Sequence, residues 1–342
     1  MSEAQTGMNK RLINFVQYVF FLGLGLFLLW LTLRKSDWNS IVRDLSGARY
    51  IFLVPATLML LLSHFIRALR WKILIEPLGH RPSTQNTFLA VLVGYWANLA
   101  VPRLGEVLKC TILARYEKVP ADKLVGTIVA ERAIDVCSLA VVLLITVLSQ
   151  YELIGTFSAE IFRKFFSQDG TFSTLRVLMV LLIITAFVIF FIWMFTRLSH
   201  LTFVSKTKDI FKGIWEGLIS IRFIKNKALF VLHSVLIWVL YLYSTYMGFF
   251  AMQGMSVYGI KGALSALTFG SFGMIIPSPG GIGSFQYAIQ QVMILYGVTP
   301  EKGLSLGMLI WFAQTGIIII FGTIAFLVIP ILNKKKQPDE KH

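Results

Sequence analysis

The chain has 342 residues, 56% of them hydrophobic and only 14% charged, with a mean hydropathy of +0.73. Soluble domains carry roughly 25% charged residues, so a water-soluble globule is excluded, as are disordered, collagenous and disulfide-knotted chains. The net charge of +15, from 32 Lys+Arg against 17 Asp+Glu, reads first as loop cations that orient membrane spans and meet lipid headgroups.

In chain order, Lys10 and Arg11 open an apolar run from Leu12 to Leu33. At about 20 residues and with no small-residue cleavage site, it reads as a retained signal-anchor span behind a cytoplasmic N-terminus, residues 1–11. Five further stretches are long and apolar enough to cross a bilayer: Tyr50 to Ile75, Leu124 to Leu148, Leu175 to Thr196, Ala228 to Met252 and Leu304 to Leu332. Two others, Thr87 to Val101 and Ala263 to Ile276, are only about 15 residues each and run into proline and glycine. The first meets Pro102, Arg103, Leu104, Gly105 and Glu106; the second meets Pro277, Ser278, Pro279, Gly280, Gly281, Ile282 and Gly283. Each is followed by a second helical stretch, Val107 to Tyr116 and Ser284 to Tyr296, so re-entrant hairpins fit better than extra crossings. Between these lie two amphipathic segments, Ser36 to Arg49 and Lys206 to Lys227, whose apolar residues recur at helical spacing and which read as helices in the headgroup plane.

With six crossings, the basic residues gather on one side: the N-terminus, Arg67 to Pro82, Arg103 to Lys123, Arg197 to Lys227 and the tail at Lys334 to Lys336. That asymmetry places both termini in the cytoplasm. An offset of about 176 residues lays Gly94 on Gly270, Trp96 on Phe272, Trp38 on Trp215 and the Pro102 turn on the Pro277 turn. The expected fold is therefore an all-α polytopic membrane protein with six spans, two re-entrant hairpins and two interfacial helices. It forms an inverted 3+3 repeat: residues 12–149, a 150–174 extracytoplasmic loop, residues 175–332 inverted, and a 333–342 cytoplasmic tail. Transporter folds of this kind hold substrate near the midplane between repeats.

Charge inside an apolar run costs about 2.5–3.5 kcal/mol per residue on insertion scales, so Glu131, Arg132 and Asp135 must face a partner or a wet cavity. Two readings stand: an internal salt bridge in which Arg132 neutralises Asp135, or a polar floor to a substrate cavity. In the first hairpin Arg103, Glu106 and Lys109 recur every three residues; an Arg fork suits a phosphate, and Glu106 can hold that Arg or meet a cationic headgroup, the alternative being a cytoplasmic turn whose charges are solvated. In the second, Gly280, Gly281 and Gly283 permit a tight turn, Ser284 suits an N-cap, and free amides at the helix start favour an anion. His64 and His233 read as hydrogen-bonded packing residues. No nucleophile with its base, no nucleotide loop and no metal-ligand spacing is visible, and Cys110 and Cys137 suggest neither disulfide nor metal, so neither enzymatic activity nor a cofactor is expected. The basic residues are spread over loops, which argues against nucleic acid.

The motif PRLGE at Pro102 to Glu106, Glu131-Arg132 with Asp135, and Pro277 with Pro279, Gly280, Gly281 and Gly283 resembles the lysylphosphatidylglycerol synthase transmembrane family, also called flippase-like or UPF0104. The resemblance runs from about Leu12 to Leu332. It implies a bacterial inner-membrane unit that moves a phospholipid, anionic or aminoacylated, or a lipid-linked sugar between leaflets. The family's cytosolic aminoacyl-transferase domain is not expected here, because the chain stops soon after Leu332. Gln286 stands where the family commonly has glutamate, removing a charge from the second hairpin. The alternative is a non-transporting integral membrane partner or regulator of an envelope-lipid enzyme; partners other than lipid would be an envelope enzyme or a second copy of the chain.

Overall fold

The computed structural model describes residues 19–151 and 221–334, apart from 21, 35 and 277, together with scattered positions between 167 and 185. The expected span Leu175 to Thr196, the second amphipathic segment Lys206 to Lys227, Pro277 and both extreme termini lie wholly or mostly outside these residues. A two-residue strand pair, β1 (Ser167–Gln168) with β2 (Thr171–Phe172), accompanies an otherwise helical architecture.

Helix α1, Leu22–Leu33, is the described part of the first apolar run. Helix α2, Trp38–Ser46, is the expected amphipathic element. The Asp37 carboxylate caps it, accepting from the Asn39 and Ser40 amides and, at 2.6 Å, from the Ser40 hydroxyl. The Ser40 hydroxyl, with the two amides, holds the Asp37 carboxyl below the usual carboxylate range. Ile41 is buried while Trp38 stays exposed, one face in and one out.

Helix α3, Leu53–Ile75, is 23 residues long, about 35 Å at 1.5 Å per residue. It stops where Pro77 enters and Gly79 turns left-handed at φ 84°. Helices α4 (Thr84–Ala100) and α5 (Leu104–Glu117) form the first hairpin, joined by three residues. Helix α6, Ala121–Ser149, carries the charged run. After the gap come α7 (Lys227–Ala251), the second hairpin α8 (Gly259–Ile275) and α9 (Ser284–Leu295), and the 35-residue α10 (Pro300–Lys334). Among the described residues, α3 with its flanking turns, α7 and α10 are long and apolar enough to cross a membrane. Helix α6 is long enough, but its N-terminal half holds Asp122, Lys123, Glu131, Arg132 and Asp135.

The hairpins close through small residues. Gly94 of α4 lies against Gly105 of α5, and a Cβ at Gly105 would overlap the Gly94 carbonyl oxygen. Asn98 accepts the Gly105 amide at 2.8 Å, which satisfies one of the free donors at the start of α5. In the second hairpin Gly273 lies against the backbone of Ser284 and Phe285, while Gly270 receives the Phe285 ring. The two hairpin tips meet: Leu99 covers Gly280, whose carbonyl accepts from Trp311 Nε1 of α10 at 2.7 Å. Helix α10 runs along both hairpins, Gly303 and Gly307 sitting on Gln290 and Gln286 of α9, and Gly322 under Trp96 of α4. Long helices α3 and α7 pack along each other. The outward surface is apolar, with Leu58, Leu148, Val231 and Ile331 all exposed, as a lipid-facing belt requires.

These contacts make a stability prediction. Gly105→Ala should destabilise the folded chain by about 1–3 kcal/mol through overpacking. Gly126→Ala, with open space around it, should be neutral or slightly stabilising. Thermal unfolding of the two variants in detergent checks both.

Candidate functional site

Five helices bring their polar residues to one place. From α3, Arg67 Nη1 donates to Glu131 Oε1 at 2.9 Å and to Asp135 Oδ2 at 2.7 Å, while Arg70 Nη2 donates to Asp135 Oδ1 at 2.6 Å. From α5, Lys109 Nζ donates to Glu131 Oε2 at 2.7 Å and lies 4.6 Å over the Trp71 ring. Trp71 is in turn fixed through its Nε1, which donates to Thr127 Oγ1 of α6. Helix α7 supplies neutral partners: Tyr241 and Ser234 accept from Arg67 and Arg70, each at 3.3 Å. From α4, the Tyr95 ring lies against His64 of α3, tilted by 30° with ring centroids 4.3 Å apart.

Arg67, Arg70, Lys109 and Glu131 are all buried. Isolated charges at such depth carry a desolvation cost that only close opposite charge and hydrogen bonds offset. Here every carboxylate oxygen of Glu131 and Asp135 accepts from a cation. Arg132 is half exposed and turns outward, donating from Nε to Glu106 at 2.8 Å with its Nη1 3.8 Å from Asp135. In this network four cations (Arg67, Arg70, Lys109, Arg132) face three anions (Glu106, Glu131, Asp135), an excess of one positive charge.

Against the network opens a cavity of about 380 Å³. His64, Arg67, Tyr95, Arg132, Asp135 and Tyr241 form its polar end, and Val136, Leu139, Trp238, Leu267, Met274 and Ile318 its apolar body. Ser244, Thr245, Ser271 and Gln314 add hydroxyl and amide groups along the wall.

The charged candidates of α5 and α6 thus converge, with one exception. Glu131 and Asp135 do share a face, meeting the same guanidinium. Asp135, however, is neutralised chiefly by Arg67 and Arg70, with Arg132 its distant third partner, because the two α3 arginines lie directly opposite it. Arg103 lies outside the cluster: it is exposed at the hairpin turn in a left-handed conformation, φ 69°, and Glu106 pairs with Arg132 instead. Pro102 and Gly105 form the first turn as expected, and Pro279, Gly280 and Gly281 the second. The cap of α9 is Gly283, at φ 78°, rather than Ser284, which is the helix's first residue. The Gly283 amide is not free for an anion, since Gln286 Oε1 accepts it at 2.8 Å. The Ser284 hydroxyl instead lies 3.0 Å from that of Ser278.

The sequence alone groups Arg67 and Arg70 with the loop charges and His64 with hydrogen-bonded packing residues. All three are inside α3, and neither ring nitrogen of His64 has a partner among the described residues. His64, Arg67 and Trp71 recur at i, i+3 and i+7 on one face, the signal in the sequence that marks a polar stripe within the apolar run.

The transmembrane-region model of lysylphosphatidylglycerol synthase matches residues 16–322, which covers every element of this site. The chain belongs to that family. A UPF0104 membrane protein of Methanocaldococcus jannaschii is 29% identical over 100 residues, a match that spans 28% of this chain and 30% of the relative. No solved structure matches the chain. Within this family of helical membrane proteins, then, the charged run of α6 is the centre of a five-helix contact.

Removing one member tests the network. Glu131→Gln should cost about 3–5 kcal/mol, because it leaves buried Lys109 and Arg67 underpaired. Glu106→Gln, in a solvent-exposed pair, should cost no more than about 1 kcal/mol. Denaturant unfolding in detergent measures the difference; equal losses would contradict the burial-based ranking.

Proposed function

We propose that the chain translocates a phospholipid or lipid-linked substrate across the bacterial inner membrane. The observation that carries this reading is the cavity: one end charged and hydrogen-bonding, the rest apolar, the pattern an amphiphile with a polar head and hydrocarbon tail requires. Its walls come from both halves of the chain, α3, α4 and α6 on one side and α7 to α10 on the other. The order of packing supports an inverted repeat of six spans and two re-entrant hairpins. The long helix α3 packs on hairpin helix α4 as α7 packs on α8, and the pairs α4–α5 and α8–α9 each fold back on themselves. Helices of 17 and 14 residues, then 17 and 12, reach only about 25 Å and about 20 Å, short of a full crossing. The distribution of loop cations, which survives the transfer of Arg67 and Arg70 from loop to helix, supports a cytoplasmic placement of both termini.

In this reading the chain performs no bond chemistry. The network holds the polar end open and preorganised, and alternate access comes from movement of one half against the other. Membrane lipids are the substrates, an anionic or aminoacylated phospholipid or a lipid-linked sugar.

Reconstitution into vesicles with fluorescent phospholipids tests it. Protein-containing vesicles should exchange lipid between leaflets faster than protein-free ones, and Ser271→Trp, which fills the cavity from α8, should reduce that rate at least severalfold without changing the thermal midpoint. Rates equal to protein-free vesicles across anionic, zwitterionic and aminoacylated lipids would overturn the reading and leave the role of a non-transporting partner.

A further inference from the structure

A second cavity, of about 460 Å³, lies at the C-terminal end of α3, against the loop before α4 and the first two turns of α7. It shares no lining residue with the large cavity. On α7 the two sets of lining residues part at Ser234, which Arg70 of α3 meets at 3.3 Å. The second cavity opens where two spanning helices end, and the Arg81 side chain at its edge is 80% exposed. Its lining sets two cations, Lys72 and Arg81, against one carboxylate, Glu76, whose Oε1 already accepts from Arg81 Nη2 at 3.0 Å. Lys72 Nζ donates one of its three protons to Thr84 Oγ1. With the imidazoles of His80 and His233 neutral, the lining carries an excess of one positive charge. His233 adds a donor that the protein leaves unused. It is 8% exposed, and its Nδ1 is sealed without a partner; Nε2 is not sealed, has no partner among the described residues, and is the ring nitrogen left to the cavity. A sealed N–H without an acceptor is costlier than a bare ring nitrogen, so the proton belongs on Nε2. Buried polar side chains find partners in almost all folded proteins, and one that finds none on a cavity wall marks the place of a ligand.

We propose that this second cavity binds a small water-soluble phosphate, inorganic or carried as the monoester of a compact apolar group, with Lys72, Arg81 and His233 Nε2 as its donors. Three donors from three segments, α3, the loop and α7, suit a tetrahedral group with three free oxygens better than a carboxylate with two. The Arg81 fork matches a pair of those oxygens. Leu69, Ile73 and Leu229 supply an apolar wall for the organic part. The ligand enters from water, because the exposed cation stands at the edge and the sealed imidazole within. This site is separate from the lipid path and stands whether or not the chain moves lipid.

Calorimetric titration of the purified full chain in detergent, at low salt, tests it without requiring transport. The probes are phenyl phosphate, inorganic phosphate, benzoate, phenol and short-chain phosphatidylglycerol. Phenyl phosphate should bind at least about tenfold tighter than phenol, the contribution of one charge-assisted hydrogen bond, and tighter than benzoate. Inorganic phosphate should displace it, and phosphatidylglycerol should not. Lys72→Met and His233→Phe should each weaken phenyl phosphate about tenfold and leave phenol unchanged. Arg81→Gln, at an exposed side chain, should weaken it severalfold, and decides the matter if the other two variants fail to fold. Ser271→Trp, which fills the large cavity, should leave the affinity unchanged and so separates this site from the lipid path. Equal affinity for phenyl phosphate and phenol or benzoate, full affinity in the folded variants, displacement by phosphatidylglycerol, or loss of binding in Ser271→Trp would overturn the proposal.

Discussion

The structure depends on a problem of electrostatics in a poor solvent. One fully buried carboxylate, a second that is mostly buried, and three buried cations lie among helices whose outer faces are apolar, and isolated charges there are costly. They are tolerated because Glu131 and Asp135, one turn apart on α6, present four oxygens to donors arriving from α3 and α5. The geometry then works as a register. Arg67 reaches both carboxylates only if α3 and α6 are aligned to within a fraction of a turn, and Lys109 reaches Glu131 only if the first hairpin is fully closed. The Trp71 ring, held to Thr127 and lying under Lys109, ties the apolar core to the same register. Hydrophobic contact by itself is weakly directional in a bilayer, where lipid tails are as apolar as leucine, so polar contacts of this kind are what select one helix arrangement.

Hairpin closure, on which Lys109 depends, is in turn a matter of glycine. Gly94 and Gly105 allow the α4 and α5 backbones to approach until the Gly105 position has no room for a side chain. The second hairpin reaches the same closeness differently, with Gly273 against backbone and Gly270 receiving the Phe285 ring. The tips then meet at Leu99 and Gly280, and Phe285 and Met274 line the cavity wall.

Much of this was legible from residue order. Proline and glycine after runs too short to cross located both hairpins, because those residues have local and strong backbone consequences. Charged residues within an apolar run located the α6 half of the network, because the bilayer makes charge conspicuous. The α3 half escaped because Arg67 and Arg70 sit near the end of an apolar run, where a sequence cannot distinguish the last turns of a buried helix from the first residues of a basic loop. Their partners are more than 60 residues away, and no local pattern encodes such a pairing. Arg103 misled for the complementary reason: spacing of three places it beside Glu106 on a continuous helix, but the chain turns left-handed at Arg103 itself and the helical face begins only after it.

The distribution of charge between the halves bears on how the cavity could work. The salt bridges described here, including the exposed Glu76–Arg81 pair, all join residues between 67 and 135. Among the described residues, polar contacts from the N-terminal to the C-terminal half include many to neutral groups: Arg67 and Arg70 to hydroxyls at 3.3 Å, Thr146 to Thr268, Gln150 to Ser265, and the reciprocal amides of Asn86 and Asn333. An ion pair broken in a dry interior leaves an uncompensated charge, whereas a long bond to a hydroxyl is exchanged at small cost. The boundary between the halves is therefore the place where contacts exchange at least cost, and the charged network lies wholly within the first half. Gln286 fits the same division, since its side chain caps its own helix at Gly283 and brings no charge to the boundary. The C-terminal half supplies an uncharged wall to the cavity.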